Sequence, residues 1–202
     1  MTAALVVLGG YLLGSMPFGY WLVRLVKRED VRKAGSGNIG ATNVWRTYGK
    51  GYGIPVVLLD IAKGFVPALV GTILVGELVG VLAGGAAMLG HWRPLFLRFQ
   101  KGGKTVAAAG GTFFGAAPVL GLIGLAIWIV TFLLSRYASL ASMVTALALP
   151  FVAIALGEPW PVIVFAAIAC AAVLVLHKGN IARLRAGTES RFRLRRRGGA
   201  TA

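Results

Sequence analysis

The sequence predicts an all-α, polytopic membrane protein with about seven short transmembrane helices, its N-terminus outside and its C-terminus in the cytoplasm. Three observations lead there. Hydrophobic residues make up 57% of the 202 and charged residues only 13%, at a mean hydropathy of +0.80; a soluble domain needs more polar surface than that. Apolar runs recur at approximately 3–22, 54–76, 78–92, 105–117, 118–135, 140–157 and 160–176. Nearly all Lys and Arg can be assigned to one side of those runs, as the bias toward basic cytoplasmic loops requires.

The first run follows Met1-Thr2-Ala3-Ala4, which lacks a basic leader, so it reads as a retained helix and not a cleaved signal. Glu77 marks the gap between the second and third runs. The stretch from Thr105 to Ser135 is long enough for one tilted helix. Lys104 and Arg136, however, both belong with the basic face, so an even number of crossings lies between them. Pro118, flanked by Gly115 and Gly121, is the natural break, giving two spans or a re-entrant pair. Gly157-Glu158-Pro159 divides the last two runs. Several runs fall short of the ~20 residues that cross a typical hydrocarbon core; local thinning or burial against neighbours accommodates them. The 29 glycines suit close helix approach in lipid. No inverted repeat of the transporter kind is evident.

Of the 21 basic residues, seven lie between Arg24 and Lys50, four between Arg93 and Lys104, and eight between Lys178 and Arg197. Arg136 joins them, and Lys63 alone sits inside an apolar run. The gaps around Glu77, Pro118 and Gly157 hold none. A formal charge of +15 would point to nucleic acid in a soluble protein, but no groove-reading motif accompanies it, so nucleic acid is excluded as a partner. Residues 1–189 read as one domain and 190–202 as a basic tail, with Arg191 to Arg197 a solvated arm on anionic headgroups. Cys170, the single cysteine, reads as a small apolar residue.

Three loops on the basic side can carry chemistry. The first is Gly35-Ser36-Gly37-Asn38-Ile39-Gly40-Ala41-Thr42-Asn43, followed by Arg46. Its glycines let backbone N–H groups converge on an anion, its small polar side chains add hydrogen bonds, and Arg46 can grip a phosphate bidentately. A helix starting near Thr42 adds its positive end.

The second, Lys101-Gly102-Gly103-Lys104-Thr105, invites a nucleotide P-loop reading that fails. The motif's first glycine falls on Arg98, and no strand precedes it. What remains is a cationic, glycine-backed turn at a helix start. The third, His177 to Arg183, puts His177 and Asn180 on one helical face. His177 taken alone, like His91 beside Trp92, also suits an interfacial residue.

Two features are weaker. Asp60 and Lys63, three apart in an apolar run, either neutralise each other or mark function. Ser139 and Ser142 begin the sixth run, and only Ser142 carries weight, since helical serines commonly bond the backbone.

Together the loops resemble the bacterial acyl-phosphate:glycerol-3-phosphate acyltransferases, polytopic enzymes that start phospholipid synthesis. Ser36 to Asn43 is similar to that family's Ser-Gly-Asn-x-Gly-Ala-Thr-Asn signature, and Gly90-His91 through Lys104 to its Gly-His…Gly-Gly-Lys segment. His177, Asn180, Ile181, Arg183, Leu184, Gly187 and Glu189 match its closing pattern. Asp60…Lys63-Gly64 and Arg136…Ser139…Ser142 fit in order, so the likeness covers about residues 10 to 189. Thr105 and Ala108 depart from the family's Gly and Thr.

The resemblance implies transfer of a fatty acyl group from acyl-phosphate to the 1-hydroxyl of glycerol 3-phosphate, giving lysophosphatidic acid and phosphate. It implies no cofactor, and the few scattered carboxylates imply no metal. The expected partners are the two substrates and membrane lipids, and the expected state is a monomer. The expected catalytic set is His177, Asn180, Lys104 and Ser36. The expected substrate contacts are Gly37, Asn38, Gly40, Thr42, Asn43, Arg46, Lys63, Gly102, Gly103 and Ser142. Which loop takes which phosphate stays open, as does the base, either a substrate phosphate or His177. An anion or phospholipid transporter needs a polar path to both faces, and here the polar residues cluster on one. A structural lipid-binding subunit would bind anionic lipid without turnover.

Overall fold

The computed structural model describes residues 1–192. Among these the regular structure is helical, with ten α-helices and two short 3-10 turns. Helices α1 (Thr2–Gly14) and α2 (Phe18–Lys27) form one 26-residue apolar stretch, interrupted where Pro17 removes a backbone donor. After a loop come the short amphipathic α3 (Ala41–Tyr48) and the 25-residue α4 (Lys50–Leu74). The bundle continues with α5 (Glu77–Trp92), α6 (Val106–Ala116), α7 (Pro118–Ser135), α8 (Ala138–Ala155) and α9 (Trp160–Leu176). Helix α10 (Lys178–Arg185) bends 57° away from α9 at His177.

By length and composition four segments suffice to cross a membrane, or five if α9 and α10 are one broken span. The 16-residue α5 and 11-residue α6 are shorter; at 1.5 Å per residue α6 reaches only ~16 Å, about half a hydrocarbon core. Ile73, Leu134 and Phe151 are 71%, 80% and 72% exposed, a liability in water but a suitable lipid-facing surface.

Helices α6 and α7 do not continue one another. A Cβ on Gly121 would lie 2.9 Å from the backbone nitrogen of Phe114, whereas residues seven apart on one helix are ~10 Å apart along its axis. The chain therefore reverses at Ala117, where φ is −145° and ψ is 77°. Pro118 begins α7 at the position where a missing N–H costs nothing.

Lipid offers no hydrophobic drive between helices, so close backbone approach does the packing. A Cβ on Gly64 or Gly111 would collide with the carbonyl of Ala108 or Ile61, which draws α4 against α6. Gly14 and Gly90 bring α1 against α5 in the same way. An apolar core from α5 to α9 includes Met88, Phe113, Leu149, Phe165 and Ala166. A second, built from Val23, Val31, Ile39, Val44 and Val56, pins the first glycine-rich loop to α2, α3 and α4.

The expected basic tail begins inside a packed segment. The Ser190 carbonyl accepts from Arg46 at 2.8 Å, and the Phe192 ring packs against Trp45 and Phe132. The run from Arg193 to Arg197 lies outside the described residues.

Candidate active site

A cavity of about 860 Å³ runs between α3, α4 and the four helices α6 to α9. Its head is polar, lined by Ser36, Thr42, Asn43, Arg46, Lys104, Ser139, Ser142, His177, Asn180, Arg183 and Glu189. Its other arm is apolar and follows one stripe on each helix: Ala146 and Leu149 on α8, Ala166, Ala169 and Cys170 on α9, Gly110 and Phe113 on α6, Gly121 and Gly124 on α7. These intervals of three and four residues are the helical period, so each stripe faces one space.

Glu189, 7% exposed, organises the head. Its Oε1 accepts from Ser139 Oγ at 2.8 Å and Asn180 Nδ2 at 2.7 Å, and its Oε2 from Arg183 Nε at 2.7 Å. Burial works against its charge, but these hydrogen bonds outweigh burial and hold the carboxyl below its usual range. Asn180 is thereby oriented: its Nδ2 donates to Glu189 and its Oδ1 accepts from Lys104 Nζ. Lys104, in the loop before α6, is pulled down to about 8 by burial and by the charges of Arg183, Lys101 and Arg46, with Glu189 partly opposing.

His177 Nδ1 lies 2.8 Å from the Val173 carbonyl. A carbonyl only accepts, so Nδ1 carries the proton and Nε2 is the ring nitrogen left for chemistry. Arg46 donates to Ser190 from one end and stacks 5.0 Å from the Phe192 ring centroid. Its Nε is buried without an acceptor among the described residues, a donor suited to a ligand oxygen.

Two helix starts complete the head. Gly40 gives α3 no side-chain cap and Thr105 gives α6 none. The first-turn N–H groups of Ala41 and Thr42, and of Val106 and Ala107, therefore lack intrahelical acceptors beside the cavity. Both are anion sites by geometry and dipole.

Ser36, Gly40, Thr42, Asn43, Arg46, Lys104, Ser142, His177 and Asn180 all line this one cavity. Five expected contacts do not. Lys63 is 1% exposed, pairs with Asp60 at 2.8 Å and donates to the Met16 carbonyl at 3.3 Å; it is neutralised inside the bundle. Gly102 and Gly103 are buried, and their N–H groups already donate to the Trp92 and His91 carbonyls at 2.9 Å. They make room for neighbours instead of cradling an anion: a Cβ on Gly103 would run into the His91 ring. Gly37, at φ +69°, and Asn38, which accepts from Gly40 N at 2.7 Å, shape the first loop from behind.

Asn43 both lines the cavity and ties that loop. It accepts from Ser36 N at 2.8 Å and donates to the carbonyls of Asn38 and Ala34 at 2.8 and 3.1 Å. Ser142 is occupied as well, donating to Ala138 O at 2.7 Å and accepting from Trp128 Nε1 at 3.1 Å. Ser139, Arg183 and Glu189 stand in the matched motifs but not among the expected contacts, and the structure makes them parts of the head. The available signal was Glu189 itself, the sole acid in the basic stretch after Lys178.

Of the two departures, Ala108 is fully buried against Gly64. Thr105 sits at φ +65° with its hydroxyl buried and unpartnered among the described residues, a left-handed position that a β-branched residue occupies under strain.

A family model described as glycerol-3-phosphate acyltransferase matches residues 4–187. A glycerol-3-phosphate acyltransferase of Desulforudis audaxviator is 42% identical over 195 residues, covering 96% of this chain and 98% of that protein. Two crystal structures of PlsY, an integral membrane glycerol 3-phosphate acyltransferase, superpose closely. The glycerol 3-phosphate form has a TM-score of 0.91 at 41% identity, and the lysophosphatidic acid form 0.88 at 39%. Each comparison covers 96% of both chains.

Proposed function

The chain belongs to the glycerol-3-phosphate acyltransferase family, and on that premise we propose that it moves a fatty acyl group from acyl-phosphate to the 1-hydroxyl of glycerol 3-phosphate, releasing phosphate and lysophosphatidic acid. One observation carries the reading. A single cavity joins a cationic head, with two uncapped helix starts, to an apolar arm. Two phosphates and one lipid chain have the matching chemistry.

The hydroxyl oxygen attacks the acyl carbonyl carbon, the bond from that carbon to the phosphate oxygen breaks, and phosphate leaves with the electron pair. A mixed anhydride has a stable anionic leaving group, so the protein's task is to hold two mutually repelling phosphates together and stabilise the oxyanion. Lys104 and Arg46 supply charge, the starts of α3 and α6 supply N–H groups, and Asn180 fixes Lys104. The hydroxyl proton passes to a phosphate oxygen of the donor. The fixed tautomer of His177 favours a second route, with Nε2 as base. In the first route His177→Gln retains most of kcat; in the second it loses kcat while both substrates still bind.

The basic loops on one side support an outer N-terminus, seven crossings and a head at the cytoplasmic face of the cytoplasmic membrane. The cavity lies within one chain, which supports a monomer. Residues 1–189 act as one domain in this reading. Purified protein in lipid, given both substrates, tests the activity. Phosphate release that requires both supports it. Anionic lipid binding without release leaves a structural subunit, and transport across vesicles without release leaves a carrier.

A further inference from the structure

The apolar arm has an aromatic wall and an unfilled one. On α6, Phe113 lines the arm, 3% exposed and backed by Phe165 in an edge-on ring contact at 5.2 Å. Leu149 and Ala166 line the cavity from α8 and α9, and both belong to the same buried core as Phe113 and Phe165. Along α6, Phe113 is seven residues past Val106, or ~10 Å from the cationic head at 1.5 Å per residue. Gly110 lies about 6 Å along the same path. A Cβ built on Gly110 meets nothing within 4 Å, yet the residue lines the cavity. Most other α6 neighbours are committed: Gly111 is pressed on Ile61, Ala108 on Gly64, and Gly115 on Phe65. The space at Gly110 is therefore not required by helix packing.

The geometry points to Gly110 and Phe113 as the residues that set acyl-chain length, Gly110 by leaving the passage open and Phe113 by closing it. This rests on the acyl-transfer reading above. A side chain at 110 starts into the passage with its Cβ clear of every neighbouring helix, and Gly→Leu in a helix also improves helix propensity. Removing the Phe113 ring opens the arm against Phe165 and admits a longer chain. Space for one methylene in an apolar pocket discriminates substrates by ~10–200-fold in kcat/KM, so either change has a readable effect.

The test compares parent, Gly110→Leu and Phe113→Ala proteins over acyl-phosphates from decanoyl to octadecanoyl. Gly110→Leu shifts the preferred donor to a shorter chain by ~10-fold or more in relative kcat/KM, with the KM for glycerol 3-phosphate unchanged. Phe113→Ala shifts it the other way. A folded Gly110→Leu protein with the parent's chain-length profile overturns the inference, as does an equal loss on every donor. Binding of lysophosphatidic acids of the same lengths reads the passage without any donor. If the parent uses no acyl-phosphate, the donor assignment fails; the length inference then stands or falls on whether Gly110→Leu alters that binding profile.

Discussion

The two glycine-rich basic loops look alike in sequence and are built in opposite ways. The loop from Gly35 to Asn43 is tied by its own polar side chains, chiefly Asn43, and its glycines at 35 and 37 take φ of +58° and +69°. The turn from Lys101 to Thr105 is held from outside. There Gly102 and Gly103 keep negative φ and serve only to let the chain pass over Pro94 and the buried His91 ring. Glycine beside a cation thus has two physical meanings, conformational freedom in one loop and close approach in the other. The cations differ accordingly. Lys104 is fixed by Asn180 and Glu189 deep in the head, while Arg46 shares its guanidinium between Ser190 and the Phe192 ring.

The largest effect is expected at the fixed cation. Lys104→Met removes a preorganised charge from the reacting phosphates and lowers kcat/KM by ~10²–10³-fold, the loss typical of one such donor. Arg46→Met lowers kcat/KM by only about tenfold, equivalent to about 1.4 kcal/mol of barrier, because its guanidinium is shared with Ser190 and the Phe192 ring. A steady-state assay on both proteins checks this, and equal losses would erase the distinction drawn between the loops.

The next effect separates the two kinds of glycine. Gly103→Ala drives the new methyl into His91 and displaces Lys104, costing ~10²-fold in turnover as small misplacements do. Adding His91→Ala frees the space and restores part of that loss. Gly37→Ala has no side-chain partner whose removal relieves it: the new methyl meets the Arg32 carbonyl at 3.0 Å and the left-handed φ of +69° costs ~1–2 kcal/mol, read in the unfolding midpoint.

The pH response sharpens the contrast between the cations. Lys104 is lowered to about 8, so below that pH the free protein carries its charge and above it the charge is lost. Affinity for the phosphate substrate that Lys104 holds is expected to fall toward tenfold per pH unit above about 8, and titrating both substrates separately shows which one it is. Arg46 stays protonated throughout, so Lys104→Arg flattens the profile. A profile in Lys104→Arg that still breaks near the same pH assigns the titration elsewhere.

The helical class, the apolar runs and the grouping of cations near one space are legible in the sequence because each is a local property. Runs of apolar residues mark α4, α7, α8 and α9, and Pro118 marks the reversal between α6 and α7. What was not legible depends on distance in the chain. Glu189 meets Ser139, 50 residues away, and Lys104 meets Asn180, 76 away. Gly103 reads as a phosphate cradle until His91 is seen beneath it. Lys63 looks like a buried ligand-binding cation until Asp60 and the Met16 carbonyl account for it.

The smallest expected effect concerns Thr105, at the end of the second loop. At φ +65° a β-branched residue costs ~1–3 kcal/mol, and its hydroxyl is buried without a partner among the described residues, which adds ~1–3 kcal/mol of desolvation cost. Thr105→Gly removes both penalties. It also frees the unfolded chain, giving back ~0.4–1 kcal/mol. The balance favours the glycine by at least about 1 kcal/mol, a rise of a few degrees in the unfolding midpoint by the usual scaling. Turnover should change little, because Lys104 is already held through Asn180. A lower midpoint in Thr105→Gly would mean the hydroxyl has a bonding partner in the folded protein. A weaker grip on glycerol 3-phosphate with a raised midpoint would instead make that hydroxyl a phosphate donor, and the second loop would then hold its anion with a side chain as the first does.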